Sequence, residues 1–501
     1  MRLNARLLEI GALLIILLLA AYLRLANQPN NPAWYTDEGT HLDIARNLIA
    51  GRVQYLAVNQ STLLFARLPV FEALLAAVMR ISNDGIGALR ALTGSLGVIT
   101  VGVLYAVLRR YDRWLALIAA LMSAIYPPAI LYSRFGFSYN LLAPLVLIAF
   151  FSACEYARDR SRRWLAIAVL AIGLGAVSDL WMFAMIAPLM IVVLVRHWRD
   201  MLWSLPLTLL PFTIYAMVML TTVPQAFLFD LRFVLLRLNQ LPLATQFTTL
   251  AQNYTTLIAQ DSWLVLAIVG LFTLPVPRVR WLSLWFFLLP IAELGRTTAL
   301  FSLSFYYVIP LLPFVALGMA SLIRYGGPFV FRMMQSHIGQ GARRKVVVAV
   351  LIAVAIIVPF VSSLWITVEQ VKGRFKTDID PFLIEPGDAR QAADYVNHHT
   401  LSNDVVIASP GLAWLLNANA ADFQMSIAFT GQATPHLPAD LPHDRWAFDP
   451  DYQRARFVVL DNLWRNWAVL NVGGVAEMLK QVESWRLVFT SGEVAVYENP
   501  R

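Results

Sequence analysis

The chain has 501 residues, of which 58% are hydrophobic and 14% are charged, and its mean hydropathy is +0.62. Soluble domains carry about 25% charged residues, so this composition excludes a soluble protein and predicts a polytopic integral membrane protein. The net charge of +8 would suggest a nucleic-acid partner for a soluble chain. Here the arginines fall in short clusters between apolar runs, so we interpret them as topology signals and expect no nucleic-acid partner.

The first apolar run, residues 7–25, follows two arginines, Arg2 and Arg6. At about 1.5 Å per residue it is long enough to cross a bilayer core about 30 Å thick. A secretory signal is the alternative, but no small-residue cleavage site follows the run, and many more apolar runs do. The positive-inside rule then places the amino terminus in the cytoplasm and Asp37 on the external side.

Five arginine-bearing segments separate the later apolar runs, and taking each segment as cytoplasmic gives a path of eleven spans. The segments are marked by Arg109, Arg110 and Arg113; by Arg158, Arg160, Arg162 and Arg163; by Arg196 and Arg199; by Arg278 and Arg280; and by Arg324, Arg332, Arg343, Arg344 and Lys345. The ten later spans are expected at about 85–108, 114–131, 140–156, 164–178, 180–195, 200–220, 262–276, 281–293, 300–323 and 346–366. Two of these runs, 164–178 and 281–293, are shorter than the ~17 residues of a perpendicular span, which implies local thinning, buried ends or a misplaced boundary.

Three segments are expected outside the membrane. Segment 26–84 carries Asp37 and an amphipathic stretch, 67–81, which we expect to be a helix lying at the membrane interface. Segment 221–261 is amphipathic in the same way. From 367 to 501 the long apolar runs stop, so we expect a mixed α/β domain there, external to a multi-pass protein of the plasma membrane.

Within this tail, alternating apolar and polar residues predict individual strands. A helix is expected to start near Asp388, whose carboxylate can cap residues 389–396. The predicted strands are Asp404–Ser409, Ala455–Leu460, Arg486–Thr490 and Glu493–Tyr497.

Two adjacent carboxylates, Asp37 and Glu38, come just after the first span and are followed by Ile44-Ala45-Arg46-Asn47-Leu48 and Gly51. This loop resembles the first external loop of GT-C superfold glycosyltransferases, and the most similar branch contains protein O-mannosyltransferases and the lipid A aminoarabinose transferase. The resemblance continues in order through Arg67-Leu68-Pro69-Val70-Phe71, Arg90, Tyr126-Pro127, Leu131-Tyr132-Ser133-Arg134 and Tyr306-Tyr307. It implies a GT-C-like transmembrane domain over residues 1–366, a sugar donor linked to polyprenyl phosphate, and inversion at the anomeric carbon.

The chemistry of such a transfer assigns roles to these residues. The acceptor hydroxyl needs a base as it attacks the anomeric carbon, and the leaving lipid phosphate needs its growing charge stabilised. We expect Asp37 to be the base, and Glu38 to pair with an arginine and orient the loop. Arg67 and Arg134 are the candidates for binding the phosphate, because a guanidinium can donate two parallel hydrogen bonds to phosphate oxygens.

Each assignment has a structural alternative. The acidic pair Asp37-Glu38 fits a helix cap, and Arg134 fits an interface anchor. Tyr306 and Tyr307 fit the aromatic belt as well as the lining of a substrate cavity.

We expect no cofactor at the acidic pair. His41 lies near Asp37 and could contribute to a divalent-metal site, but the spacing matches no zinc pattern. Many relatives carry a proline and an aspartate where this chain has Phe137-Ser138-Tyr139-Asn140, so a second external carboxylate is missing. That departure puts in doubt any metal site that needs it.

Two other classes of function stay open. A transporter would fit the topology, but the sequence shows neither Gly/Pro-interrupted helices in corresponding halves nor an internal repeat. The missing carboxylate leaves room for a catalytically silent GT-C-like scaffold, or a subunit of an envelope assembly. For an enzyme, the acceptor could be a protein, a glycolipid or an envelope polymer, and the sequence specifies neither it nor the sugar.

Overall fold

The computed structural model describes residues 2–65, 67–82, 84–238, 241–261, 263–297, 305–326, 361–362, 364–375 and 380–500, and within them the chain is mostly helical. The α-helices of this part of the chain are α1 (Arg2–Leu25), α2 (Thr36–Ile49), α3 (Pro69–Ser82), α4 (Gly85–Leu108), α5 (Arg113–Ile125), α6 (Pro127–Arg134), α7 (Tyr139–Asp159), α8 (Arg162–Ala176), α9 (Ile186–His197), α10 (Met201–Thr222), α11 (Pro224–Leu238), α12 (Leu243–Gln260), α13 (Trp263–Phe272), α14 (Pro277–Thr297), α15 (Leu312–Ser321), α16 (Pro386–His399), α17 (Pro410–Ala413), α18 (Phe423–Phe429), α19 (Val469–Asn471) and α20 (Val475–Val482). Short 3₁₀ or π turns join or extend several of them, at Leu180–Met185, Trp198–Asp200, Phe305–Leu311 and Leu322–Gly326.

The strands of the described residues are β1 (Trp34–Tyr35), β2 (Gln54–Tyr55), β3 (Val58–Asn59), β4 (Leu383–Ile384), β5 (Val405–Ile407), β6 (Asn419–Ala421), β7 (Phe457–Leu460), β8 (Arg486–Ser491) and β9 (Val494–Glu498). The last five form one sheet in the order β6-β5-β7-β9-β8, in which β6, β5 and β7 are parallel and β9 is antiparallel to both of its neighbours. Strand β1 pairs with β4 across more than 300 residues of sequence, with Trp34 opposite Ile384.

The helices pack through small residues where they approach most closely. A Cβ added to Gly270 on α13 would lie 1.9 Å from the carbonyl oxygen of Gly318 on α15. Lipid tails are as apolar as leucine, so close van der Waals packing contributes much of the association between membrane helices. Glycine at these two positions lets the two backbones touch.

Five helical stretches of the described residues are long and apolar enough to cross a membrane: Arg6–Leu25, Gly85–Leu108, Tyr139–Asp159, Leu180–Thr222 and Phe305–Gly326. Two bent helix pairs, α5 with α6 and α12 with α13, raise the number to seven if each pair is one span. The eleven-span path is therefore not confirmed. Most of the predicted span at 346–366 lies outside the described residues.

Several predicted boundaries change. The stretch Leu180–Thr222 has 43 residues, about 64 Å as a helix, and it is interrupted at Trp198–Asp200, beside the arginine cluster where the sequence places a turn. The short run at 281–293 is the middle of the 21-residue helix α14, so its boundary was misplaced. Segment 221–261 contains α11 and α12, and α12 joins α13 in a bent pair with the character of a span, so its expected interfacial position is not confirmed.

The four strands predicted in the tail are present as β5, β7, β8 and β9. Strand β6 was missed because its three residues, an asparagine and two alanines, show no alternation. The cap predicted at Asp388 is wrong: helix α16 begins at Pro386 after the cap residue Glu385. Asp388 instead accepts a hydrogen bond of 2.7 Å from the Ser491 hydroxyl, which ties α16 to β8.

Helices α2 and α3 of segment 26–84 share one hydrophobic core with the tail, residues 367–501. Leu42 of α2, Leu75 of α3 and Val406 of β5 are fully buried in it. Helix α2 lies so close to α17 that a Cβ on Gly39 would be 1.8 Å from the carbonyl oxygen of Pro410. This packing fixes the beginning of α2 against the tail, whose external location and domain boundary stay predictions.

Candidate active site

The acidic pair lies in the first turn of α2, at a point held by strand pairing. Strand β1 ends at Tyr35, and the next backbone N–H, of Thr36, donates to the carbonyl of Phe382 at 2.9 Å. The Tyr35 backbone N–H donates to Glu38 Oε2 at 2.7 Å, which is one half of a capping box. Glu38 therefore takes the capping bond at this end of the helix.

Glu38 is buried and its carboxylate is saturated. Arg90 of α4 donates to both oxygens, from Nε to Oε1 at 2.7 Å and from Nη2 to Oε2 at 2.6 Å. The Gly136 backbone N–H adds a bond of 2.8 Å to Oε1. With the Tyr35 bond this makes four, so Glu38 holds the loop in place, as the sequence hypothesis of an arginine partner requires, and has little capacity left to accept a substrate proton.

Asp37, one residue earlier, is partly exposed. Its Oδ2 accepts a hydrogen bond of 2.9 Å from Nη2 of Arg67, and no other described residue bonds to the carboxylate. Asp37 also makes no bond to a helix N–H, so the capping alternative receives no support at this residue. The second oxygen, Oδ1, is left to accept a hydrogen bond from a substrate.

Arg67 lies just before α3 and is 15% exposed. Burial alone would lower the pKa of its guanidinium, but Asp37 and two further carboxylates, Asp179 and Glu72, outweigh burial and raise that pKa. Its Nε is buried and has no partner within the described part of the chain. Arg67 is thus a fixed cation with donors that Asp37 does not use.

A further buried carboxylate, Asp179, lies close to the segment that joins α6 to α7. Asp179, just before the Leu180–Met185 turn, accepts a bond of 3.1 Å from the Ser138 hydroxyl, and its other oxygen accepts from the Trp181 backbone N–H at 2.9 Å. The Asn140 side-chain amide donates to the Tyr132 and Phe137 carbonyls, which a carboxylate could not do. The sequence gave no signal that would bring Asp179 together with Ser138, because the two residues belong to separate elements 41 positions apart.

His41 lies one helical turn after Asp37 and pairs with Glu72 of α3, with 2.6 Å between Nδ1 and Oε1. Both side chains are buried, and neither His41 Nε2 nor Glu72 Oε2 has a partner among the described residues. In the described part of the chain, no group of three or more His, Cys, Asp or Glu side chains is placed to hold a metal ion. The metal alternative at His41 therefore finds no ligand set there.

Arg134 occupies a different environment from the one expected of a phosphate ligand. It is completely buried, and its three nitrogens donate to the backbone carbonyls of Leu23, Asn27 and Asn31 at 2.7–3.4 Å. Its guanidinium also lies 5.3 Å from the ring centre of Phe375. We interpret Arg134 as the residue that fixes the end of α1 and the loop after it, and the phosphate role receives no support from this arrangement.

The tyrosine pair belongs to an aromatic wall that starts beside the acidic pair. Tyr306 stacks on Phe137, with ring centres 5.2 Å apart, and meets the edge of Tyr35 at 6.3 Å. The ring of Tyr307 is 4.5 Å from that of Tyr306. Both tyrosines are partly exposed, and Tyr35, which precedes Asp37 by two residues, connects the wall to the segment that carries the acidic pair.

Comparison with known proteins identifies the fold. The profile of the family described as dolichyl-phosphate-mannose-protein mannosyltransferase matches residues 66–225. No curated protein matches the chain by sequence. Among solved structures, ArnT from Cupriavidus metallidurans bound to undecaprenyl phosphate superposes with a TM-score of 0.60 at 14% identity, covering 99% of this chain and 98% of ArnT.

Two further structures agree. Oligosaccharyltransferase AglB from Archaeoglobus fulgidus, in complex with an inhibitory peptide and a dolichol-phosphate, gives a TM-score of 0.53 at 13% identity over 91% of this chain and 70% of AglB. A mutant of arabinofuranosyltransferase AftD from Mycobacteria gives a TM-score of 0.51 at 15% identity over 99% of this chain but only 41% of AftD. The chain therefore has a GT-C fold related to that of ArnT and the mannosyltransferases, and at these identities the structural likeness concerns the fold alone.

Proposed function

We propose that this protein is an integral membrane glycosyltransferase that moves a sugar from a polyprenyl-phosphate donor to an envelope acceptor on the external side of the membrane, with inversion. The observation that carries the proposal is that the two carboxylates of the acidic pair have different environments. Glu38 is locked by Arg90, whereas Asp37 is accessible and lies 2.9 Å from a fixed arginine. The solved structures of ArnT and AglB contain undecaprenyl phosphate and dolichol-phosphate, respectively, which supports a donor of this class.

Asp37 is the general base of the proposed reaction. The acceptor hydroxyl donates to Oδ1 and transfers its proton there as its oxygen attacks the anomeric carbon. Arg67 binds Oδ2 at 2.9 Å, which holds the carboxylate in place and leaves Oδ1 for the acceptor hydroxyl.

Arg67 also stabilises the leaving group. The bond to the anomeric carbon breaks with its electron pair going to the phosphate oxygen, so negative charge grows on the lipid phosphate. The guanidinium has five N–H donors in a planar fork, and one hydrogen bond to Asp37 leaves the others for phosphate oxygens. Because a phosphate is already a good leaving group, the reaction needs no dedicated general acid.

The aromatic wall completes the proposed site. Tyr306 contacts Tyr35 and Tyr307, and these rings offer faces against which a sugar ring or the first isoprene units of the lipid would pack. The nearby Asp179 carboxylate contributes to the raised pKa of Arg67 and so helps to keep that arginine charged. No cofactor is required by this chemistry.

A scaffold with the same fold but no activity is the second candidate, since Asn140 replaces a carboxylate found in many relatives. Purified protein incubated with a synthetic short-chain polyprenyl-phosphate sugar tests the two. Acceptor-dependent release of polyprenyl phosphate supports the enzyme. A protein that binds the donor but releases no phosphate, with any of a hexose, a pentose or an amino sugar attached, would favour the scaffold.

A further inference from the structure

A cavity of about 330 Å³ lies on the other side of α2 from the proposed active site. Arg46 and Asn47 at the end of α2 form one wall, and residues 416–420 of the tail form the opposite wall. Arg46 follows Asp37 by nine residues, about two and a half helical turns, so the two side chains leave the helix in opposite directions. The cavity is therefore separate from the acidic pair.

One wall of the cavity is a closed network of polar groups. The buried Asp43 carboxylate accepts bonds from Arg46 Nη2 at 2.7 Å, from Asn47 Nδ2 at 3.1 Å and from the Leu56 backbone N–H at 2.7 Å. Arg46 also donates to the Trp414 carbonyl at 2.9 Å, which bridges α2 to the tail. Asp43 and Arg46 neutralise each other, so this wall supplies shape rather than net charge.

Arg52 supplies the net charge of the cavity. The chain turns sharply at Gly51, whose φ is +73°, and two backbone bonds close the turn, from Gly51 N to Leu48 O at 3.0 Å and from Arg52 N to Asn47 O at 2.8 Å. This is the pattern of a Schellman cap, and it needs a residue that tolerates a left-handed backbone. It brings Arg52 back over the cavity, where its exposed guanidinium makes no hydrogen bond to any described residue.

The opposite wall offers neutral groups. The side chains of Asn417 and Asn419 line the cavity and likewise bond to no other described residue. Phe448 adds a partly exposed aromatic ring. Side-chain amides can donate to and accept from hydroxyl groups, and an aromatic face packs against the C–H face of a sugar ring.

We propose that this cavity binds a saccharide that carries a carboxylate, with the carboxylate on Arg52, the hydroxyls on Asn417 and Asn419, and the ring against Phe448. A single uncompensated guanidinium matches the single charge of a carboxylate and its two coplanar oxygens. The volume of about 330 Å³ lies at the lower end of the range of small-molecule sites. The proposal adds a binding site to the proposed transferase and does not depend on turnover.

The test measures binding rather than transfer. Purified Asp37→Asn protein in detergent is titrated with D-glucuronate, with D-glucose, which has the same ring without the carboxylate, and with inorganic phosphate. We expect glucuronate to bind, glucose to bind at least about tenfold more weakly, and phosphate not to displace glucuronate at equal concentration.

Variants assign the binding to the cavity. Arg52→Gln should weaken glucuronate binding at least about tenfold, because it removes the charge-assisted contact from an exposed side chain that supports no packing. Arg454→Gln is the control, because Arg454 is another exposed arginine, lies in the tail and pairs with Asp449; this variant should bind glucuronate like its parent. The proposal is overturned if glucuronate fails to bind, if glucose binds equally well, if phosphate competes equally, or if Arg52→Gln binds like its parent.

Discussion

Glu38 and Arg90 form a two-point ion pair that is completely buried, with exposures of 1% and 0%. Arg90 uses its remaining donors on the carbonyls of Pro29, Pro32 and Ala33, so the pair organises the whole segment between α1 and α2. The Asp37 carboxylate, one residue away, can be placed accurately only because this pair fixes the first turn of α2. Removing one partner of a buried ion pair leaves the other charge buried and uncompensated, which destabilises a protein more than the loss of a surface pair does.

The first prediction concerns that pair. Glu38→Gln leaves the Arg90 charge buried without compensation, which should destabilise the protein by about 3–5 kcal/mol. The midpoint of thermal unfolding in detergent should fall by several degrees, and any transfer activity should fall with the folded fraction. The control is Glu369→Gln, which removes an exposed pair with Lys372 and should leave the midpoint unchanged. An unaltered midpoint in Glu38→Gln would show that the pair is dispensable.

The second prediction separates two arginines that the sequence treated alike. Arg67→Ala should weaken binding of a short-chain polyprenyl phosphate about 10- to 150-fold, the equivalent of about 1.5–3 kcal/mol for a lost charge-assisted contact. Arg134→Ala should instead lower the yield of folded protein, because the carbonyls of Leu23, Asn27 and Asn31 lose their donor. Folded Arg134→Ala protein should still bind the lipid. Normal lipid affinity in Arg67→Ala would remove Arg67 from the proposed site.

Arg67 and Arg134 show how much of the candidate site could be predicted from the sequence. The order of Asp37-Glu38, Arg67, Arg90 and Tyr306-Tyr307 along the chain was enough to predict the GT-C fold, because motif order survives when identity is low. The sequence could not tell a phosphate ligand from a buried anchor, since both require an arginine near the external end of a span. That distinction depends on burial and on partners as remote as Asn31 and Arg134, which are 103 residues apart.

The parts of the fold that were missed have the same cause. Span boundaries depend on tertiary contacts, which extend α14 beyond its apolar run and bend α12 against α13. The pairing of β1 with β4 and the core shared by α2, α3 and the tail join segments more than 300 residues apart. Apolar periodicity gives the type of an element but carries no information on such partners.

The third prediction concerns pH. Burial raises the pKa of the Asp422 carboxyl to about 6, above the ~3.9 of an unfolded chain. The folded state therefore binds this proton more tightly than the unfolded state, so the contribution of this group to the free energy of unfolding falls as pH rises from about 4 to 6. At pH 7 the ionised Asp422 carboxylate lowers the free energy of unfolding by at most about 3 kcal/mol.

Asp422→Asn should remove that penalty. Asparagine can keep the capping bond from the Met425 N–H, now 2.8 Å, and does not titrate. The midpoint of thermal unfolding should rise at pH 7 and stay the same at pH 4. Asp440→Asn, at an exposed position of the tail, is the control and should leave the midpoint of thermal unfolding unchanged at both pH 7 and pH 4. An equal rise at both pH values would mean that packing, rather than charge, limits the native residue.

The fourth prediction is the side of the membrane on which the tail lies. A cysteine at position 470, where the native leucine is 80% exposed, should react with a membrane-impermeant maleimide added from outside intact cells. Arg160→Cys, in the turn between α7 and α8, should react only after the membrane is opened, because the arginine cluster there is expected inside. The native Cys154 is fully buried and should give little background. Labelling of position 470 only in opened cells would invert the proposed topology.

The last prediction is that Asp37→Asn abolishes transfer while the protein stays folded and binds its lipid donor. Asparagine is nearly isosteric, and Glu38, rather than Asp37, takes the capping bond, so the change removes a basic carboxylate without removing a support of the helix. General-base assistance is worth about 10²- to 10⁴-fold, and the residual rate of acceptor-dependent phosphate release should be lower by that factor. The unfolding midpoint and the affinity for short-chain polyprenyl phosphate are measured on the same preparation, so a folding defect cannot pass for a catalytic one. Turnover at the wild-type rate would show that the Asp37 carboxylate only balances Arg67, and the base would have to be another carboxylate near that arginine, with Asp179 the first to test.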